Sequence, residues 1–387
     1  MTRVARVTRM ARVGKEGSRG MSQDIPPRAR QRAAIVACGG IARAHAAAYR
    51  RDPRVELVAC AEIMPDRLTA FADQFDIPGR YADYREMMER ERPAVVSICS
   101  HHNLHAPMTV EVAGYRPQAI LCEKPIALTL PQADVMIAAC RDAGTLLVIG
   151  HQRRFAPQYM AAQAAIAAGA IGEVVWVEAF GHPGSSLFVD STHTVDLVRS
   201  FLGDPAGAWV IGQIDARSHK HAWGQPVEDC ALAWIVFDNG VRLLLGAGSA
   251  PPAGAELPRE GLSPTAAFDY HRIAVHGTTG RLEVDGDRAC GDRPWVRIHR
   301  GVVVEEVPVT ERHDAEGGGL SFAREVSLLL DCLERPDVRH PLEASSARTT
   351  LEILLAIYES SRRRQVVRLP LGITDNPLIS MLEEGVV

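Results

Sequence analysis

The feature that most constrains the fold is an alternation of short apolar runs and amphipathic stretches from Ala33 to Gly150. The apolar runs are AAIVA (33–37), VELVACA (55–61), AVVSICS (94–100), AILC (119–122) and TLLVIG (145–150). Strands that are apolar on both faces and alternate with helices form a parallel, doubly wound sheet. Right-handed crossovers then place the carboxyl ends of the strands, and any ligand, along one edge of that sheet.

The pattern changes after Pro157. A helical segment is followed by extended segments joined by the turn signals DNG, GTTG and DG, which favour antiparallel hairpins. Two further helical segments, FAREVSLLLDCLER and ASSARTTLEILLAIYESSRRR, lie near the C-terminus. The stretch SAPPAGAELPREGLSP (249–264) is expected to form a long surface loop or lid. The 387 residues suffice for two domains, which we place at 33–155 and 156–387.

Charge is distributed unevenly along the chain. Residues 1–32 carry nine basic and two acidic side chains, a net of +7, which leaves −11 for the rest of a chain whose total is −4. The acidic net charge of residues 33–387 argues against nucleic acid as a partner, because nucleic-acid binding needs a basic surface. We expect residues 1–32 to be a disordered basic extension, or translation to begin at Met21; a targeting or membrane-surface role is the alternative.

Eight cysteines are present, none of them in a CxxC pair, and most lie inside apolar runs. This predicts small buried residues in a reducing compartment, with neither disulfides nor a metal site. No apolar stretch approaches the roughly 20 residues that span a bilayer. We therefore expect a cytoplasmic protein without a membrane partner.

A near match to the dinucleotide fingerprint, ACGGIA (37–42), follows the first apolar run. Gly39 and Gly40, followed by Ile41, would let the backbone approach a pyrophosphate at a helix N-terminus. Ala37 stands at the first glycine position. Glu62 lies where a ribose-binding acid belongs, and its charge would repel a 2′-phosphate, which favours NAD over NADP. The alternatives are an ordinary Gly-Gly turn and a solvated glutamate.

Glu123, Lys124 and Pro125 follow the fourth apolar run, and Lys124 is one of only three lysines among 43 basic residues. An enzyme that removes a hydride from an alcohol needs a cation that steadies the alkoxide and relays a proton. A half-buried lysine can do this, whereas arginine does not deprotonate in proteins. Glu123 would orient the cofactor's nicotinamide side, and Pro125 would restrict the backbone of Lys124.

The stretch ILCEKPIALTLPQADVMIAACRDAGTLLVIGHQRRFAPQY resembles the signature region of the glucose–fructose oxidoreductase/inositol dehydrogenase (Gfo/Idh/MocA) family. The motifs CGGIARAH, SICSHHNLHAP, THTVDLVRSFLGD and VEDCALAWIVFDNG extend the resemblance over about 33–370. It implies an α/β fold with an N-terminal Rossmann domain and a C-terminal domain with an open, mostly antiparallel sheet. It places Lys124 between nicotinamide ribose and substrate, and Ser100, His105 and Glu123 among the cofactor contacts. Ser100-His101-His102 replaces the family's frequent Thr-Pro-Asn.

In that family a histidine opens a helix of the second domain and faces the nicotinamide; the match here is His193. Asp196, three residues later on the same helical face, can orient the imidazole. Asp190, three residues earlier, resembles a subgroup variant, and which aspartate assists His193 stays open. Without the family, His193 and Asp196 are more often a surface pair. Two further positions match residues that line sugar or cyclitol pockets, with a solvated arginine and a strand-end histidine as the alternatives: Arg153 and His182.

The resemblance implies an NAD-dependent oxidoreductase that acts on a secondary alcohol of a sugar, a sugar derivative or a cyclitol. A dihydrodiol dehydrogenase and a redox-assisted glycoside-cleaving enzyme are the enzymatic alternatives. A dinucleotide-binding regulator without activity is the third, and the presence of both Lys124 and His193 argues against it. The expected partners are a small polyol and further copies of the chain, in a homodimer or homotetramer.

Overall fold

The N-terminal part of the chain forms a six-stranded parallel sheet. The computed structural model describes residues 30–181, 185–248, 271–286, 294–309 and 319–387. The strands are β1 (Gln31–Val36), β2 (Val55–Ala61), β3 (Gly79–Tyr81), β4 (Val95–Ile98), β5 (Ala119–Cys122) and β6 (Leu146–Ile149). Their order is β3-β2-β1-β4-β5-β6, and all neighbours are parallel. The predicted doubly wound sheet is confirmed, with its topological switch point between β1 and β4.

Helices cover this sheet: α1 (Gly40–Arg51), α2 (Pro65–Gln74), α3 (Tyr84–Glu91), α4 (His105–Gly114) and α5 (Leu130–Ala143). Side chains cap two of them, since Asp83 accepts from the amide of Arg85 and Thr129 from that of Gln132. Such caps satisfy amides that the first turn leaves without an intrahelical acceptor. Helix α1 follows Gly39 and has no side-chain cap, which leaves its first amides available to a ligand.

The second sheet is mixed. The remaining strands are β7 (Val174–Phe180), β8 (Gly207–Asp215), β9 (His221–Ala222), β10 (Gln225–Pro226), β11 (Cys230–Phe237), β12 (Arg242–Ala247), β13 (Arg272–Gly277), β14 (Arg281–Val284), β15 (Val296–Arg300), β16 (Val303–Glu306) and β17 (Val367–Arg368). Nine of these described strands form one sheet in the order β16-β15-β14-β13-β7-β12-β11-β8-β17, and among them only β7 and β12 pair in parallel. This confirms the mostly antiparallel second sheet. Strands β9 and β10 form a separate hairpin.

The remaining described helices are α6 (Pro157–Ala167), α7 (Thr192–Phe201), α8 (Gly319–Glu334), α9 (Ala344–Arg363) and α10 (Pro377–Glu383). Helices α6, α7 and α9 cover one face of the second sheet, and α10 packs on α9. Helix α9 packs on β8, where Ser360 Oγ accepts a 2.9 Å hydrogen bond from the amide of Gly212. Alternate residues of β11 point to the opposite face, where Leu232 is 55 % exposed and Trp234 is partly buried. The second domain is therefore open on one side.

Helix α8 belongs to the second domain by sequence, yet it packs on the first. The ring centroid of Phe322 lies 5.2 Å from that of His45 on α1. Phe322 and Leu329 of α8 belong to one buried apolar cluster with Ala46 and Tyr49 of α1. Arg54, just before β2, donates to Asp331 at 2.7 Å and to Ser327 Oγ at 2.9 Å. The C-terminal part of the chain thus supplies part of the outer layer of the parallel sheet.

Strand β1 begins at Gln31, so the last two residues of the predicted extension belong to the sheet. Residues 1–29 and the proline- and glycine-rich stretch 249–264 lie outside the described residues. No helix in the described part of the chain is long and apolar enough to cross a membrane.

Candidate active site

Two adjoining cavities lie at the carboxyl edge of the parallel sheet, beside the turn from β1 to α1. Both are lined by Gly39, Arg67 and Ser100; one extends to Glu62 and the other to Lys124. They occupy the switch point of the sheet, where open α/β folds bind their ligands.

The glycine turn leaves room for a ligand. A Cβ added at Gly39 or Gly40 would meet open space, so neither glycine is needed for packing within the protein. Ala37 adopts a left-handed backbone conformation with φ of 68°, and its amide donates to the carbonyl of Ala61 at 2.9 Å. The turn therefore keeps the tight geometry of the fingerprint, although an alanine occupies the first glycine position.

Glu62 is buried at the end of β2 and holds two backbone segments. One carboxylate oxygen accepts from the amide of Cys38 at 3.0 Å, and the other accepts from the amide of Met64 at 3.1 Å. Each oxygen keeps a further lone-pair direction, because a carboxylate oxygen accepts more than one hydrogen bond. A carboxylate that is fixed beside an open glycine turn fits the ribose of a dinucleotide.

His105 does not present its ring to either cavity. Its Nδ1 lies 2.7 Å from the carbonyl oxygen of Pro125, and its Nε2 lies 3.1 Å from that of Ser100. The imidazole is buried and joins the segments that follow β4 and β5, so its assignment as a direct cofactor contact is not supported. Ser100 does line both cavities, and its buried Oγ has no hydrogen-bond partner among the described residues.

Glu123 is the end of a buried chain of hydrogen bonds. Its Oε1 lies 2.9 Å from Nε2 of His45, whose Nδ1 lies 2.9 Å from Ser97 Oγ, and Tyr49 OH lies 2.7 Å from the same hydroxyl. Burial opposes ionisation, but the hydrogen bond from His45 and the nearby charge of Lys124 hold the pKa of Glu123 below its ordinary value. Glu123 is therefore a fixed negative charge behind Lys124.

Lys124 is partly buried between the two domains. Its Nζ donates to the backbone carbonyl of Val189 at 2.6 Å, and its amide donates to the carboxylate of Glu123 at 3.3 Å. Burial lowers its pKa; the charges of Glu123 and Asp190 oppose that change, and the charge of Arg153 adds to it. The result is a lysine with a reduced pKa, which is the property that a proton relay needs.

His193 lies in the first turn of α7, within a row of three buried imidazoles. Its ring centroid is 5.5 Å from that of His151 and 5.6 Å from that of His271. Burial lowers the pKa of His193 well below its ordinary value, and the charges of Arg153 and Lys124 lower it further. The ring is neutral at neutral pH, and its Nδ1 has no hydrogen-bond partner among the described residues. It is therefore able to accept a proton.

The predicted bond between Asp196 and His193 is not formed. Asp196 instead receives two 2.6 Å hydrogen bonds from Nε and Nη2 of Arg154, and it lies 3.7 Å from Nδ1 of His151. Both partners of this ion pair are buried, so the carboxylate is committed to holding α7 against the segment after β6. Asp196 therefore neither orients His193 nor reaches a substrate, which corrects its assignment as a substrate contact.

Asp190 follows Val189 in the turn that binds Lys124, and its charge opposes the lowering of the lysine pKa by burial. Arg153 lies in a 3₁₀ turn after β6, and its charge lowers the pKa of His193, His271 and Lys124. Asp190 thus lies in the turn directly before α7, and Arg153 lies in the turn after β6 that contacts α7. His182 lies outside the described residues.

Glu228 is a buried residue that the sequence did not single out. It accepts from Tyr358 OH at 2.6 Å and from the amide of Leu187, the first residue of a π-helical turn, Leu187–Ser191. Burial raises the pKa of Glu228, and these two hydrogen bonds oppose that rise. The turn carries the Val189 carbonyl that binds Lys124, so Glu228 holds the segment between the lysine and His193.

Two histidines beside His193 were also missed. His151 follows β6 at the carboxyl edge of the parallel sheet, and its Nε2 shares a 2.9 Å hydrogen bond with Thr192 Oγ1. His271 shares a 2.7 Å bond with Thr194 Oγ1. The position of His151 after a strand was an available signal, but nothing local marks His271. Among the described residues, no group of three or more His, Cys, Asp and Glu side chains is placed to hold a metal ion.

A dinucleotide cradle on a parallel sheet, completed by groups from a second domain, defines the class as a two-domain nicotinamide-dependent oxidoreductase. Residues 31–151 match the family model for GFO/IDH/MocA oxidoreductases with an NAD-binding Rossmann fold, and residues 159–283 match a GFO/IDH/MocA C-terminal domain. The chain belongs to this family. The predicted family, the NAD-binding domain and the assignment as a CH–OH dehydrogenase are thereby confirmed.

Several known proteins are similar to this chain. D-apiose dehydrogenase from Paraburkholderia graminis is 26 % identical over 273 residues, which cover 67 % of this chain and 68 % of that protein. Inositol 2-dehydrogenase from Rhizobium meliloti is 28 % identical over 276 residues, 66 % of this chain and 75 % of that protein. A dehydrogenase from Bordetella pertussis, solved with NADH and UDP-GlcNAcA, shares the fold with a TM-score of 0.69 at 20 % identity, covering 89 % of this chain and all of that one.

Proposed function

We propose that the protein transfers a hydride between NAD and a secondary alcohol of a sugar, a sugar derivative or a cyclitol. The observation that carries this proposal is the bond from Lys124 to the carbonyl of Val189. It brings the lysine of the first domain to the segment that leads into His193 in the second. A cation with a reduced pKa and a neutral imidazole thus border one site, as alcohol oxidation requires.

Each residue has a separate part in this proposal. His193 accepts the hydroxyl proton as the substrate is oxidised, and Lys124 stabilises the negative charge that develops on the oxygen and relays the proton. The negative charges of Glu123 and Asp190 favour the ammonium form of Lys124 and so oppose the effect of burial on its pKa. A positioned general base typically contributes about 10²–10⁴ in rate. Bound NAD supplies the hydride acceptor.

The cofactor would be held by the open turn at Gly39, Gly40 and Ile41 and by the carboxylate of Glu62. Ser100 would add a contact at the edge of β4, while Glu123 would act through its charge behind Lys124. For the substrate, Arg153 is the proposed polar contact from the described residues. The similarity to sugar and cyclitol dehydrogenases supports a polyhydroxylated substrate, and their low identities leave its name open.

Turnover with a panel of polyols tests the proposal directly. The purified protein is incubated with NAD and D-apiose, myo-inositol or a UDP-linked sugar acid, and NADH is followed by its absorbance. At least one polyol should give steady turnover, and His193→Asn should reduce it by at least about 10². NAD binding without turnover across a broad polyol panel would refute the substrate class. An active His193→Asn would refute the role of His193.

A further inference from the structure

The hairpin formed by β9 and β10 brings one residue of the second domain to the cofactor site. Its strands pair through His221 with Pro226 and Ala222 with Gln225, so Trp223 and Gly224 form the two-residue tip. The cavity that runs from the glycine turn to Lys124 is lined by Trp223 as well. All the other described residues that line this cavity belong to the first domain.

The backbone at the hairpin tip is unfavourable for tryptophan. Trp223 has φ of 52° and Gly224 has φ of 76°, which is the pattern of a type I′ turn. Such turns favour Asn-Gly, because a bulky side chain in the left-handed region is strained. Burial does not offset this strain, since 59 % of Trp223 is exposed. A large aromatic residue therefore stands at a position where the turn alone would favour asparagine.

The residues around Trp223 in this cavity indicate which ligand group its indole would contact. Gly39 and Gly40 border one part of the cavity, and Lys124 borders another. A dinucleotide that spans these residues carries its nicotinamide toward Lys124. The oxidised nicotinamide ring is flat and cationic, and the indole face is the aromatic surface that attracts cations most strongly. Arg43 and Arg67 line the same cavity and match the charge of a pyrophosphate.

We propose that Trp223 is a cofactor-contacting residue supplied by the second domain, and that its indole packs on bound NAD between the glycine turn and Lys124. The exposed indole surface is then buried by the cofactor, which offsets the strain in the turn. This inference rests on the NAD site alone and does not depend on which polyol is oxidised.

The test separates the stability of the turn from the binding of the cofactor. Trp223→Asn places a residue that favours the type I′ turn at the tip, so the melting temperature should be equal to or above that of the native protein. The dissociation constant for NAD, measured by titration calorimetry, should rise about five-fold, the loss expected for one contact between an indole and the cationic oxidised ring. Binding within two-fold of native would overturn the proposal.

A second measurement uses the tryptophan signal and keeps the test independent of folding losses. The chain has five tryptophans, and energy transfer to NADH quenches those that lie close to it. Trp223→Phe should reduce the quenching that NADH causes, while Trp234→Phe, on the open face of the second sheet, should not reduce it to the same extent. Unchanged quenching in Trp223→Phe would show that the indole lies away from the cofactor and would overturn the proposal.

Discussion

The 2.6 Å bond from Lys124 Nζ to the carbonyl of Val189 joins the two domains at the candidate site. A carbonyl oxygen accepts a hydrogen bond but does not take up the proton. The bond therefore fixes the position of the ammonium without neutralising it, while Glu123 and Asp190 supply the nearby negative charge.

Lys124→Met should preserve the packing of the side-chain stem and remove the positive charge. NAD affinity should remain near native, because the proposed contacts of the dinucleotide lie mainly at the glycine turn and Glu62. Turnover should fall by at least about 10², the contribution of one acid–base group. Lys124→Arg should fail to restore it, since arginine keeps its proton. Steady-state kinetics measure turnover and calorimetry measures NAD affinity for both variants. A near-native turnover of Lys124→Arg would show that only the positive charge at this position is needed and that Lys124 does not transfer a proton.

Glu228→Ala should affect both stability and activity. The amide of Leu187 and the hydroxyl of Tyr358 would lose their buried acceptor, at a cost of about 1–3 kcal/mol each. The π-helical turn would loosen, and turnover should drop even where urea denaturation shows the variant to be folded. Glu228→Gln, which keeps one acceptor for Leu187 and donates to Tyr358, is the matched control and should remain close to native. Equal activity of the two variants would contradict this account.

Glu62→Gln should weaken the preference for NAD over NADP. The amide keeps an oxygen for one of the backbone donors and loses the charge that repels a 2′-phosphate. Arg67, which lines the same cavity, can then attract the 2′-phosphate without opposition. Repulsion of about 1–2 kcal/mol near the protein surface corresponds to roughly a ten-fold change in relative affinity. Calorimetric titration with both cofactors measures the ratio. Equal affinities in the native protein would exclude this role for Glu62.

Ala37→Gly should stabilise the protein slightly. The left-handed conformation costs an alanine about 1–2 kcal/mol in the folded protein. Glycine removes this cost, but it lowers stability by about 0.4–1 kcal/mol because the unfolded chain has more conformational freedom. The net gain of several tenths of a kcal/mol should appear as a higher urea midpoint. Gly39→Ala is the matched control: its Cβ meets open space within the protein, so stability should change little while NAD affinity falls.

The free energy of unfolding should decrease as the pH falls from about 6.5 to 4, in part because of His340. Its Nδ1 accepts from the amide of Leu342 and its Nε2 faces the carbonyl of Glu325, a pattern that needs the neutral ring. Burial lowers the pKa of His340 to about 4, against about 6.5 when unfolded.

Between these two pKa values His340 is protonated in the unfolded chain but not in the folded protein. The free energy of unfolding is therefore about 2 kcal/mol lower at pH 5 than at neutral pH through His340 alone. Urea titrations at pH 7 and pH 5 measure it, and His340→Gln should flatten the difference. The buried carboxyls of Glu228 and Glu325 act in the opposite direction, because their pKa values are raised. An unchanged pH dependence in His340→Gln would contradict the assignment to this residue.

Sequence periodicity was sufficient for the parallel sheet because its strands are buried on both faces and read as continuous apolar runs. Strand β3 was missed, since its three residues, Gly79–Tyr81, carry no such run. The antiparallel hairpins followed from turn signals such as DNG. The packing of α8 on α1 could not be predicted, because helical periodicity reveals an apolar face but not the surface that it will cover.

The candidate site likewise contains residues that local sequence predicts and residues that only tertiary packing brings in. Lys124 and the glycine turn are recognisable because their chemistry follows a strand in the sequence. Asp196 was misplaced because spacing on a helix shows which residues share a face, but Arg154, 42 positions away, competes for the carboxylate. Glu228 and His271 reach the site only through tertiary packing, so local spacing held no signal for them.

The contact between α8 and α1 also has a consequence for synthesis on the ribosome. The parallel sheet is complete in sequence at Ile149, but the helix that covers the apolar face of α1 begins at Gly319. At about 5–20 residues per second, this interval lasts on the order of ten to thirty seconds. During that time the nascent first domain carries an uncovered apolar strip containing Ala42, Ala46 and Tyr49, which is a surface that a chaperone can bind until translation supplies its cover.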